Sequence, residues 1–109
     1  MDLKWVVLNT FFLRLKGLMG ARDLPDNTMY ILLPCSSIHT FGMKLPIDVL
    51  FFDKYGKVLR LCKHVNPGIV IAEKGAYGVA EGKVGIIDKY AISLGSTIPL
   101  QDIRSADGK

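Results

Sequence analysis

The pentad Asp53-Lys54-Tyr55-Gly56-Lys57 lies between two β-patterned runs and constrains this chain more than any other local feature. Aspartate favours the start of a turn and glycine supplies a left-handed position, so the two runs fold back on each other as a tight hairpin. The incoming run, Asp48 to Phe52, follows Pro46, which forbids a regular central strand at its own position and predicts a bend there.

Other short strands are predicted at Leu3 to Leu8, Thr28 to Leu33 (closed by Pro34), Ile38 to Phe41, Ile69 to Ala72 and Tyr77 to Ala80, with Thr97 to Leu100 at a sheet edge. Asn9 or Thr10 can cap a short helix over Phe11 to Leu18, whose Phe11, Leu15 and Leu18 recur at helical spacing while Arg14 and Lys16 reach outward. A second helix is predicted over Lys83 to Leu94, with Ile86, Ile87, Tyr90, Ala91 and Leu94 on one stripe and Gly95 as its stop. Many strands and two brief helices predict a mainly β single domain over residues 1–100, a sandwich or partly closed barrel, followed by a loose polar tail at 101–109.

Composition narrows the function classes. The 109 residues suffice for one core, and 50% hydrophobic with 22% charged residues is globular usage. The net charge of +4 is scattered. Its densest stretch, Lys54, Lys57, Arg60 and Lys63, straddles the hairpin, where alternation splits the charge between faces, so no nucleic-acid partner is expected. Two cysteines cannot form a disulfide framework, which predicts reduced thiols and a cytoplasmic protein. The apolar run Trp5 to Leu13 is interrupted by Asn9 and Thr10 and is half of the roughly 20 residues a membrane span needs, so neither signal peptide nor span is expected.

His39, Lys44 and Asp48 stand inside otherwise apolar sequence, and burying an ionisable group costs several kcal/mol unless it is paired. Lys44 and Asp48, four apart across the proline bend, can pair and hold it. Alternatively, Lys44 anchors an anion and Asp48 accepts a hydrogen bond from a hydroxyl, amine or water, with Arg14 and Arg22 adding a fork for carboxylate or phosphate. His39 is a core histidine, a base or an orienting donor. Ser36 and Ser37 lack a nucleophile elbow, and Cys35 lacks a thiol-protease signature. Cys35, His39, Cys62 and His64 form an alternative tetrahedral zinc set, although CxxxH plus CxH is not the usual spacing. Met19, Met43, Phe41, Phe51 and Phe52 are expected to fill the core. Glu81 is a helix-start acid or a polar wall of the cluster around Asp48.

Three segments in order, RLKGLMGARDL from Arg14, IHTFGMKLPIDVLFFDKYGKV from Ile38, and YGVAEGKVGII with a later LGSTI, resemble the domain of unknown function 192 family of bacteria and archaea. The resemblance runs from the first strand to Leu100. It implies a compact, jelly-roll-like β-sandwich and no established activity. The family's motif positions fall here on Arg14, Gly17, Leu18, Met19, Arg22, His39, Phe41, Met43, Lys44, Pro46, Asp48, Phe51, Asp53, Gly56 and Glu81. Gly42 replaces a tryptophan common in the family, Ala80 a leucine, and Gly82 with Lys83 the usual proline-alanine-glycine turn.

The functional expectation is a non-catalytic module for a small anion or a protein partner. Its ligand-binding candidates are Arg14, Arg22, His39, Lys44, Asp48 and Glu81 beside the Pro46 bend. The alternatives are a small hydrolase or lyase with His39 or Asp48 as base, a domain whose polar cluster only holds the bend, and the Cys/His metal site. No cofactor is expected.

Overall fold

In the computed structural model, residues 2–8 and 18–100 are described. The hairpin pentad forms as its sequence predicts. Asp53 Oδ1 accepts the amide hydrogens of Tyr55 and Lys57, each at 2.9 Å, and Gly56 takes φ +85°. The flanking strands are β4 (Ile47–Phe52) and β5 (Val58–Val65), antiparallel neighbours.

Around them are β1 (Lys4–Val7), β2 (Thr28–Leu32), β3 (Ser37–His39), β6 (Val70–Ala72) and β7 (Gly78–Lys83). Five strands form one sheet in the order β1-β2-β7-β4-β5, parallel between β1 and β2 and antiparallel elsewhere; β3 and β6 form a second, two-stranded sheet. The larger sheet is open, ending at β1 and β5, so the fold is mainly β with two sheets and no closed barrel among the described residues.

Alternation sends neighbouring residues to opposite faces of the large sheet, and both faces are covered. On one, Met29, Ile31, Leu50, Phe52, Val58 and Ala80 pack against Ile86, Ile87, Ile98 and Leu100. On the other, Ile47, Val49, Phe51 and Val79 pack against Leu18, Leu24 and Ile38, with Ile71 and Met43 alongside. A strand covered on both sides has no polar face, which is why all six residues of β4 are buried, Asp48 included.

The second helix is much shorter than the spacing predicts. Lys83 belongs to β7, and Gly85, at φ +95°, caps α1, which spans only Ile86–Lys89. Ala91 at φ +53° stops it, and Ala91 and Leu94 are exposed. The helical stripe therefore joined residues of a helix and of the turn after it. Likewise Thr97 makes only an isolated bridge to Lys57. The helix expected over Phe11 to Leu18 and the tail at 101–109 lie outside the described residues, Leu18 apart.

Candidate functional site

Among the described residues, the predicted site side chains are spread over different faces rather than gathered beside Pro46. Asp48 is 1% exposed and points to the face carrying α1. Its Oδ2 accepts the amide hydrogens of Gly85 at 3.0 Å and Ile87 at 3.1 Å, and its Oδ1 accepts that of His64 at 2.9 Å. The last contact explains a local irregularity. Ile47 pairs with Val65 but Val49 with Cys62, so β5 carries one extra residue, and His64 adopts φ +54°. Such a bulge leaves an amide without a ladder partner, and Asp48 supplies the acceptor. An aspartate in an apolar strand is thus satisfied entirely by backbone donors, which a sequence cannot display.

Lys44 is exposed, and no ion pair joins it to Asp48 among the described residues. His39 is exposed rather than a core histidine; its Nδ1 accepts the Phe41 amide hydrogen at 3.2 Å, and its ring lies 5.5 Å from that of Phe41. Phe41, expected in the core, is 54% exposed beside Ile69 and Val70, whereas Phe51 and Phe52 are fully buried. Arg22 is exposed, and Arg14 lies outside the described residues. Cys35, His39, Cys62 and His64 do not converge, because the bulge breaks the alternation that would put Cys62 and His64 on one face. No group of three or more His, Cys, Asp or Glu capable of holding a metal occurs among the described residues.

Glu81 occupies the middle of β7, not a helix start. It pairs with Tyr30 on one side and Val49 on the other, while Asp48 pairs with Gly82. The two carboxylates therefore face opposite sides of one sheet. Glu81 is 5% exposed, has no hydrogen-bond or ion-pair partner among the described residues, and burial pushes its carboxyl up to about 7. Burial favours the neutral acid, since a carboxylate loses its hydration there.

Tyr30, its cross-strand neighbour, lines a groove of about 510 Å³ between Leu8, β2 and the 18–25 segment. Its other walls include Leu8, Leu18, Met19, Ala21, Asp23 and Leu24. Two contacts hold the segment in place. Lys83, two residues beyond Glu81 on the same face, reaches Asp23 Oδ1 at 3.3 Å. The Leu24 amide first, and then Lys83, hold the Asp23 carboxyl below its ordinary range. The Met19 side chain fills the space beside Gly42, where a Cβ would meet its Cγ at 2.8 Å.

Two structurally important polar residues carried no sequence signal. Thr40 is fully buried; its hydroxyl donates to the Asn66 carbonyl at 2.7 Å and accepts the Ile69 amide hydrogen at 2.8 Å, pinning the turn before β6. Tyr30 reads as an ordinary strand aromatic until the groove is seen.

Two covered faces, a bulge latched by Asp48 and a groove lined by Tyr30 define a small two-sheet β domain with a buried carboxyl on either side of its main sheet. The chain belongs to the DUF192 family, described as Uncharacterized ACR, whose model matches residues 2–100. A UPF0127 protein from Thermococcus sibiricus (strain DSM 12597 / MM 739) is 35% identical over 108 residues, covering 92% of this chain and 69% of that one. A crystal structure of a protein of unknown function from Novosphingobium aromaticivorans superposes with a TM-score of 0.77 at 20% identity, covering 87% of this chain and 73% of that one. A candidate transcription regulator from Sinorhizobium meliloti 1021 gives 0.74 at 19% identity, covering 87% and 78%. At such identities the likeness is one of fold. No helix among the described residues is long and apolar enough to cross a membrane.

Proposed function

We propose that this chain is a non-catalytic binding module and that a small ligand docks in the groove between Tyr30 and the 18–25 segment. The observation that carries the reading is the groove of about 510 Å³ itself, where the Leu8, Leu18, Met19, Leu24 and Tyr30 walls are joined by the Asp23 carboxylate. The apolar walls suit a ligand body, with few polar groups to orient it, as in most small-molecule sites.

A catalytic reading has less support. Asp48, a candidate base, already accepts three backbone hydrogen bonds, and His39 lies exposed, away from the groove walls. The ligand-binding expectation is kept, but its centre moves from the Pro46 bend to the groove beside Tyr30. Cys35 and Cys62 form no disulfide, which favours a reducing compartment such as the cytoplasm.

The test is a titration of the labelled protein with a panel of small charged and neutral organic molecules, followed by amide chemical shifts. Saturable shifts are expected at Leu18 to Leu24 and at Tyr30. Shifts confined to His39, Lys44 and the Pro46 bend would move the site back there and refute the groove.

A further inference from the structure

The outward face of the β3–β6 sheet contributes none of the groove walls, and its geometry points to a separate partner, an anionic lipid surface. Phe41, Ile69 and Val70 enter the bilayer interface there, while Lys44 and Lys74 engage acidic headgroups at either end of the face. Register sets which side chains point outward. Ile38 pairs with Ile71, and both turn inward onto the main sheet. Alternation therefore sends Ser37, His39, Val70 and Ala72 outward. Phe41, two residues beyond His39, continues the face, its ring 5.5 Å from the imidazole, and Ile69 adjoins Val70 at the start of β6. Phe41 and Val70 are each more than half exposed, and Ile69 is exposed as well. Large apolar side chains scattered singly over a surface are ordinary, whereas a contiguous patch marks an interaction site.

The charge around this patch has one sign. Lys44 follows the turn that the Met43 amide closes on the Thr40 carbonyl, at the Phe41 end, and Lys74 stands two residues past Ala72 at the other end; both are exposed. Glu73 is the one acid in residues 35–45 and 64–76, and Arg60 holds it at 3.7 Å. Asp23, Asp26 and Asp88 are each paired with a lysine elsewhere, and Asp48 and Glu81 are buried. Residues 9–17 contain no acid. Among the described residues, Lys44 and Lys74 enter no ion pair.

Sign and size then select the occupant. A second copy would set like charges together, since a two-fold pairing over this face gathers the lysines of both copies on one rim. A stable protein interface takes roughly 20–30 residues a side, far more than this short two-stranded face presents. A nucleic acid would offer phosphate to the lysines but leave Ile69 and Val70 in water. A bilayer demands no matching shape. Acyl chains close around Phe41, Ile69 and Val70, while the lysine stems lie along apolar surface and carry their ammonium groups to the acidic headgroups. The association is peripheral and involves no spanning segment.

The experiment is flotation of the full chain with two kinds of vesicle, phosphatidylcholine alone and phosphatidylcholine mixed equally with phosphatidylglycerol. Partitioning onto the acidic vesicles is expected to be at least about tenfold the stronger, and to weaken as salt is added. Phe41→Ser combined with Val70→Ser should lower it about tenfold, and Lys44→Gln combined with Lys74→Gln by a similar factor. Leu94→Ser, which removes an apolar side chain equally exposed on the turn after α1, should leave it unchanged. Failure of the unaltered protein to float with acidic vesicles would overturn the inference without recourse to any variant. Partitioning that survives the Phe41 and Val70 changes would reduce the effect to diffuse attraction by the net charge of +4, and would overturn it too. Sedimentation of the free protein supplies the remaining outcome: a dimer that Val70→Ser dissociates would give this face to a second copy instead.

Discussion

The Asp48 carboxylate and the Ile87 amide lie 3.1 Å apart although 39 residues separate them in the chain. One carboxylate thereby ties β4 to the start of α1 through Gly85 and Ile87, and to the β5 bulge through His64. Helix α1 has four residues, too few for a helix to persist by itself, and its own N-cap residue, Gly85, offers no side-chain cap. Its position depends on Asp48 and on the burial of Ile86 and Ile87.

Asp48→Ala is expected to lower the unfolding free energy by about 3 kcal/mol or more, because three amides lose a charged acceptor and at least one stays buried. Asp48→Asn should be milder, since one oxygen remains. Urea denaturation of both variants checks this, and a loss below about 1 kcal/mol for Asp48→Ala would show that the latch is not structural.

Glu81 should make stability fall as pH rises. Its carboxyl is raised from 4.5 to about 7 in the folded protein, so the folded state binds more protons than the unfolded one between those values. Its contribution is complete below about pH 4.5, declines through that window and is lost above pH 7, for a total on the order of 3 kcal/mol. Glu81→Gln should flatten that slope and be the more stable protein at pH 8. Paired denaturation curves at pH 5 and pH 8 decide the matter; parallel slopes for the two proteins would contradict the buried-acid account.

The contact between Met19 and Gly42 joins two motifs far apart in sequence. Gly42 has φ +82°, and an added Cβ would press on Met19. Gly42→Ala is therefore expected to cost about 1–3 kcal/mol, from backbone strain together with the displaced thioether. In a double-mutant cycle, Met19→Ala should recover the steric part and leave the backbone part. Strict additivity of the two changes would mean that Met19 does not sit against residue 42 in solution.

Excess zinc should leave the reactivity of Cys35 and Cys62 toward a thiol reagent unchanged. The two thiols belong to different strands and loops, and the four Cys and His side chains do not converge. Joint protection of both cysteines by zinc would establish a site that this fold does not assemble.

The sequence alone was enough for the hairpin at Asp53 to Lys57, the short strands and the mainly β class, because turn chemistry and two-residue alternation are local properties. It also marked Asp48 and Glu81 as unusual, since a carboxylate among apolar neighbours is visible in one dimension. What those carboxylates do was decided by tertiary structure. Asp48 is satisfied by amides 16 to 39 residues away, and no side-chain pattern announces a backbone donor. Pairing of Asp48 with Gly82, and of Glu81 with Val49, sets the two groups on opposite faces; a shift of one residue in register would have exchanged them. The helical stripe from Ile86 to Leu94 failed for a related reason. Periodicity records which residues are apolar, whereas the left-handed backbone at Gly85 and Ala91 limits the helix to a single turn.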